Sequence, residues 1–428
     1  MASNLLNPRC GRRSGLLTLT AALAWAAAAP VHAAADPALL DAARRAQPAV
    51  VESLKDMVMI ESGSANVEGL TKMADYTERR LKELGAQTER IKGTQGPGTI
   101  VKGTFNGTGK KRLMLMAHMD TVYPANTLAT QPYRLDGNKL YGPGIADDKG
   151  GIAVILHSLK ILNDAGWKNY ARVTVLFNAD EEIGSVGSGE LIATLADEHD
   201  VVFSCEPTGA KAIAKNEGLL LGAAGTATAT LEVKGRASHA GAAPELGRNA
   251  LIELSHQLLA TRDVAKSVPG SQLNWTYSRV GEVRNQIPER AVATGDVRAT
   301  AAGAAEKLQA ALQDKVKATG PLVPDTETTV TMLVGRPAYV ASEASRALAK
   351  QAQTIYAELD GRELMLVPST GGATDAGFAG RSGKALVLES FGLAGWGYHA
   401  RDEYIELDSI VPRIYLMTRM LTSVAASN

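Results

Sequence analysis

Cysteine is almost missing from this chain of 428 residues: Cys10 and Cys205 are the whole supply. Cys10 falls in an N-terminal segment that reads as a leader, so Cys205 stands alone in what remains. One thiol forms no internal disulfide. Stability must then come from a buried core, which a chain of this length can build. Cys205 itself reads as a small buried residue and not as a nucleophile. Net charge is missing too. The chain has 45 basic and 45 acidic residues, a formal balance of zero. Nothing in that balance points to a nucleic-acid or membrane-surface partner. Long apolar runs are absent apart from GLLTLTAALAWAAAA at 15–29, which is shorter than the roughly 20 residues a membrane span needs.

That one run has the flanks of a secretory signal peptide. Arg9, Arg12 and Arg13 precede it, and VHAAAD at 31–36 follows with small-residue cleavage sites. The expectation is a leader over residues 1–34, with export to the periplasm or beyond and no membrane anchor after cleavage. The Arg12–Arg13 pair is a poor twin-arginine pattern, and no cysteine ends the run to mark a lipoprotein. Losing the leader removes three arginines and leaves a net charge near −3.

The rest of the chain changes texture twice. Residues 38–92 carry helical periodicity, and LTKMADYTERRLKELGA at 70–86 closes on a C-cap at Gly85. Apolar strands are expected at 111–118, 172–180 and 201–207, with an apolar helix at 151–167 between the first two. Strand–helix–strand alternation of this kind implies an α/β unit, a mixed sheet flanked by helices. From about residue 220 the strands alternate with period two, at 225–235, 272–280, 290–300 and 326–335, with helices at 247–262 and 303–318. The order βαββαβ describes a ferredoxin-like α+β domain. After 336 the first texture returns, with a helix near 342–358 and an apolar strand at 384–390. The reading is one domain over 36–220 and 335–428, with a smaller domain over 221–334 inserted into it.

The chemistry gathers where strands of the larger domain end. LMLMAHMDTVYP, at 113–124, runs from apolar residues into His118 and Asp120. GPGIADDKGG brings Asp147 and Asp148 in a glycine-rich loop before a helix, DEE brings Glu181 and Glu182, and CEP brings Glu206. GWGYHARDEY carries His399 near the C-terminus. In open α/β sheets ligands collect beyond the carboxyl ends of the strands. Crowded carboxylates without a cation would be neutralised, whereas imidazole with carboxylate is a usual zinc ligand set. Five ligands exceed one tetrahedral zinc and suit two metals sharing a carboxylate. Asp120 is expected to hold the second ring nitrogen of His118.

HMDTVYP, GPGIADDKGG, NADEEIGS, EPT, GRASHAG, TGGATDA and GWGYHA together resemble the motifs of the M20 metallopeptidase family, and within it the folate-hydrolysing glutamate carboxypeptidases. The resemblance runs from about residue 45 to the C-terminus. It implies a catalytic domain of dizinc exopeptidase type and an inserted domain that serves as dimerisation surface and lid. It implies two Zn²⁺ ions, with Co²⁺ or Mn²⁺ as other possible occupants. One site would take Asp147, Glu182 and His399, the other Asp147, Glu206 and His118, with Asp147 shared and the peptide bond after it cis. Glu181 matches the general base, which takes a proton from a water held by both metals and passes it to the departing amine. His239 would reach the active site of the partner subunit in a homodimer and stabilise the oxyanion. Asn285 and Arg298 match residues that bind the substrate carbonyl and its free carboxylate, a task suited to arginine. The backbone of Gly371 and Gly372 would join them, with Arg336 as a further contributor.

The implied activity is removal of a C-terminal amino acid, glutamate first, from N-acyl or peptidyl substrates. Alternatives within the family are N-acyl-amino-acid deacylase and dipeptidase. A binding protein without catalysis would not require a base beside a ligand, and a one-domain aminopeptidase would lack the insertion. Ala373 stands where the resembled branch has glycine, and Trp396 where it has a smaller aromatic. Both lie near the place of the leaving amino acid and bear on side-chain preference. His157, His199 and His256 lie away from the motifs and read as structural, and DEHD at 197–200 as a solvated helix end.

Overall fold

A computed structural model describes residues 34–211, 213–301 and 303–427. The leader, apart from residue 34, lies outside them. Among the described residues no helix is long and apolar enough to cross a membrane.

A six-stranded sheet organises the larger unit. Its order is Gln87–Lys92, Thr99–Asn106, Arg172–Asn178, Arg112–His118, Val201–Ser204, Leu386–Leu388. The first two strands run antiparallel to their neighbours, and the other four are mutually parallel. Strands covered on both faces read as continuous apolar runs, and Leu113, Met114 and Leu115 are fully buried. Helices Pro37–Val58, Lys149–Asp164 and Ile410–Ala426 pack on one another, and the last two pack on this sheet. Helix Lys149–Asp164 is buried almost throughout and is N-capped by Asp148, whose carboxylate accepts the Gly151 N–H at 3.1 Å. The helical reading of residues 38–92 requires one correction. Helices fill Pro37–Val58 and Val67–Glu83, but Gln87–Lys92 is an edge strand. Pairing with Thr99–Asn106 overrode a polar stretch that a helix would also tolerate.

The second unit is a four-stranded antiparallel sheet in the order Ser271–Val280, Arg290–Ala299, Gly225–Lys234, Glu327–Val334. Helices Ala250–Thr261 and Ala304–Thr319 pack together against it. Its core, around Leu231, Leu254, Val297 and Leu308, is separate from that of the larger unit. Two chain segments join the units, side by side. The Thr226 N–H donates to the Arg336 carbonyl at 2.9 Å, and the Gly335 N–H to the Thr226 carbonyl at 2.9 Å. No side chain fits at Gly225, where a Cβ would sit 2.6 Å from the Ala338 nitrogen.

Candidate metal centre

Four parallel strands put four carboxyl ends on one edge, and the polar cluster forms there. Arg112–His118 ends in His118, Arg172–Asn178 leads into Asp180–Glu182, and Val201–Ser204 leads into Cys205 and Glu206. Two loops close over them, one bearing Asp147 and one bearing His399. The peptide bond between Asp147 and Asp148 is cis.

Asp147 lies between the two histidines. Its Oδ1 is 2.9 Å from His118 Nε2, and its Oδ2 is 3.3 Å from His399 Nε2. Glu206 Oε1 stands 3.7 Å from His118 Nε2, and Glu182 Oε2 stands 3.0 Å from His399 Nε2. Two triads therefore share one carboxylate. Ligand atoms of His118, Asp147 and Glu182, and likewise of His118, Glu181 and Glu206, lie within 4.8 Å of one another.

His118 is oriented from behind. Its Nδ1 lies 3.0 Å from the main-chain carbonyl of Asp120 and 3.4 Å from that residue's Oδ1. A carbonyl only accepts, so Nδ1 carries the proton and Nε2 faces the cluster. Asp120 thus holds the second ring nitrogen, through its carbonyl first and its carboxylate at longer range. That carboxylate is engaged elsewhere, accepting the Glu181 N–H at 3.0 Å, the Glu182 N–H at 3.1 Å and the Ser64 hydroxyl at 2.8 Å. Asp120 ties the histidine strand to the turn bearing both glutamates.

The electrostatics are set by burial and by close pairing of imidazole with carboxylate. Burial pushes Glu206 and Glu181 well above the ordinary carboxylate range, and Glu182 upward as well. Burial also acts to raise Asp147, but hydrogen bonds to His118 and His399 outweigh it and hold that carboxyl low. Hydrogen bonds to Asp147 and Glu182 push His399 up to about 10. Burial opposes a charge on His118, yet its carboxylate neighbours raise it well above the usual imidazole range. A divalent cation among these carboxylates would favour their charged forms. Glu182 Oε1 is buried without a partner. An orphaned carboxylate oxygen beside two imidazoles and three further carboxylates fits a hard or borderline divalent ion.

Glu181 faces the same cavity, a cleft of about 710 Å³ between the two units. Its Oε1 is 2.7 Å from Arg336 Nη1, a buried ion pair. Arg336 also donates to the Glu181 main-chain carbonyl, and to that of Ala373 at 2.8 Å. Arg298 reaches the cavity from the second unit, its Nε 3.0 Å from Asp296 on the same strand. Gly372, Ala373 and Tyr398 complete the walls named so far. Gly371 is exposed and not part of that lining.

His239 and Asn285 are not brought to this cavity within one chain. They lie on neighbouring segments of the second unit, where His239 pairs with Gln286 and the Ala240 N–H donates to the Asn285 carbonyl at 2.9 Å. His239 Nδ1 accepts the N–H groups of Ala242 and Gly241, at 3.0 and 3.2 Å. Its Nε2 therefore carries the proton and is exposed as a donor. Trp396 is partly exposed and packs edge-on against Tyr398 at 5.2 Å. Cys205 is fully buried, and burial pushes its thiol well up, as an inert core residue requires. His157 and His199 are both buried in polar contacts, with Ser53 and Thr174 respectively, remote from the cluster.

Histidines and carboxylates converging on one sheet edge, with Glu181 held beside them by Arg336, define a metal-dependent hydrolase. Residues 114–423 match the model of peptidase family M20/M25/M40, and the chain belongs to that family. It is 42% identical over 394 residues to carboxypeptidase G2 of Pseudomonas sp. (strain RS-16), covering 91% of this chain and 93% of that protein. The M20 family metallo-carboxypeptidase Sso-CP2 from Sulfolobus solfataricus superposes with a TM-score of 0.70 at 18% identity, over 88% of this chain and 99% of that one. The aminopeptidase PepT from Bacillus cereus ATCC 10987 does so with a TM-score of 0.68 at 18% identity, over 89% and 99%. These two show the fold. The relative at 42% makes the chain a carboxypeptidase G2-like hydrolase.

Proposed function

We propose that this protein is a two-metal exopeptidase that removes a C-terminal amino acid, glutamate in preference, from N-acyl or peptidyl substrates such as folate-type acyl-glutamates. The observation that carries it is Asp147, whose two oxygens face two different histidines, with Glu181 beside them and paired to Arg336. His118 and Glu206 would hold one ion with Asp147, and His399 and Glu182 the other. Two zinc ions, when bound, polarise the scissile carbonyl and make a water acidic near neutral pH.

The chain's own groups do the rest. Glu181 takes the proton of the attacking water and delivers it to the leaving nitrogen, which needs a carboxylate in reach of both. Arg336 fixes that carboxylate in place. Arg298 offers its outer guanidinium edge to the free carboxylate of the substrate, and the Gly372 backbone lines the cavity opposite. His239 is presented as an N–H donor pointing away from its own cavity, which supports a role in the site of a second subunit. The protein then acts as a homodimer, exported by its leader.

The test is turnover of the zinc-loaded protein on a panel of N-acyl amino acids and dipeptides. The proposal expects acyl-glutamates to be cleaved best, with Glu181→Ala inactive. Preference for another leaving residue, or for a free N-terminus, would overturn the glutamate assignment and keep the reaction. Equal turnover by Glu181→Ala would overturn the mechanism.

A further inference from the structure

Glu403 lies four residues beyond His399, and nothing above uses it. It is 1% exposed, and no basic side chain pairs with it. Its carboxylate accepts three main-chain N–H groups from the loop that delivers Asp147. Oε2 takes Gly144 at 2.8 Å, and Oε1 takes Ala146 at 2.8 Å and Asp147 itself at 3.0 Å. The main-chain carbonyl of Glu403 also accepts the Gly142 N–H at 3.1 Å.

The local sequence explains the arrangement. Tyr404–Glu406 pairs antiparallel with Lys139–Tyr141, so the two chains leave that ladder side by side. One becomes the loop to Asp147, and the other has just come from His399. Gly144 turns its chain with φ +70°, at a spot where a Cβ would meet Thr121 at 2.4 Å. The N–H groups of that turn converge with no helix or sheet to receive them. Buried N–H groups need acceptors, and here one carboxylate serves three. The Lys149 ammonium, which feels the Glu403 charge without a direct ion pair, donates to the Pro143 carbonyl at 3.1 Å and the Ile60 carbonyl at 3.0 Å. The loop is clamped between an anion and a cation that do not pair with each other.

We infer that Glu403 is the positioning residue of the metal centre: by gripping the backbone of residues 144–147 it fixes the Asp147 carboxylate between His118 and His399. The inference rests on the two-metal reading above. Partners of this kind, behind the ligands, commonly govern metal affinity by 10–100-fold. Only a carboxylate meets the need, because each of its oxygens faces N–H donors. In Glu403→Gln the amide nitrogen would point a donor at a donor.

The experiment is zinc titration of full-length wild-type, Glu403→Gln and Glu403→Asp proteins against a chromophoric chelator. Thermal unfolding of each metal-free form and the visible spectrum of each cobalt-loaded form go alongside. The expectation is affinity roughly 10–100-fold weaker in Glu403→Gln, with an altered cobalt spectrum. Glu403→Asp keeps the charge with a shorter reach and should fall between. A purely structural role would lower metal-free unfolding and leave affinity and spectrum alone, and that result overturns the inference. If Glu403→Gln does not fold, Glu403→Asp decides, and wild-type affinity in it is equally fatal. His118→Ala is the control. Normal zinc uptake by His118→Ala would sink the metal reading and the inference with it. Normal uptake by the Glu403 variants alone sinks only the inference.

Discussion

Arg336 holds Glu181 at two points, through its carboxylate at 2.7 Å and through its main-chain carbonyl. Both side chains are buried. Removing one partner of a buried pair strands the other charge, at a cost of about 3–5 kcal/mol. Arg336→Met should therefore lower the urea midpoint sharply. The double variant Glu181→Gln/Arg336→Met should recover most of that loss while staying inactive. Equal midpoints for Arg336→Met and wild type would show that the pair is not formed in solution.

Glu181→Ala separates binding from chemistry. Loss of a positioned base should lower kcat by about 10²–10⁴-fold, with zinc content by atomic absorption unchanged. Zinc lost along with activity would mark Glu181 as a ligand instead.

Asp147→Asn should behave otherwise. One carboxylate serves both triads, and an amide offers only one acceptor oxygen. Zinc bound after dialysis should fall from two equivalents per chain to one or fewer. Chelation of the wild type should also lower its unfolding temperature, since a ligand at 100 times its Kd adds about 2.7 kcal/mol. Two tightly held ions in Asp147→Asn would remove Asp147 from the shared position.

His239 can be tested by mixing. If its N–H serves the partner's site, Glu181→Ala and His239→Ala are each nearly inactive alone. Dissociated together and reassembled at random, half the dimers are mixed and each has one intact site. Activity should return to about a quarter of wild type, by the symmetry of a two-fold dimer. No recovery on mixing would place His239 outside the partner's chemistry.

His157 gives the fold a pH dependence independent of the metal site. Its Nε2 lies 2.9 Å from Ser53 Oγ, which also receives Arg80 Nη1 at 2.9 Å. Burial, then Arg80 and Lys160, lower its pKa to about 4. The unfolded chain protonates this histidine near 6.5, so the fold favours the neutral ring. The contribution is complete above about 6.5 and is lost as pH falls toward about 4. Roughly 2 kcal/mol should disappear across that window after allowance for screening. His157→Gln should flatten the slope of urea midpoint against pH. An unchanged slope would show that another group sets it.

The clustered histidines and carboxylates are legible in the sequence because each ends an apolar strand or sits in a glycine-rich loop. A polar residue where a core run stops leaves a visible mark. Contacts to the backbone leave none. Glu403 reads as one more acid in HARDEY, although it receives three N–H groups. Asp120 is conspicuous beside His118, yet its carboxylate turned out to serve the Glu181–Glu182 turn. Arg336 lies more than 150 residues from Glu181, and no local pattern announces such a pair. Gln87–Lys92 was missed for a related reason, since an edge strand is stabilised by a neighbour that its own residues do not name.

The two crossings between the units make one junction. Gly222–Ala223 pairs antiparallel with Tyr339–Val340, so the points of departure and return face each other across one ladder. The larger unit keeps its sheet and metal cluster on either side of that gap, and a short hairpin turn would close it. Insertion is tolerated where chain ends already lie together at the surface. The second unit, with its own core, thus leaves and rejoins the larger one at a single ladder. Arg298 is that unit's guanidinium on the cleft, so any swing about the junction would carry it toward or away from the carboxylate cluster.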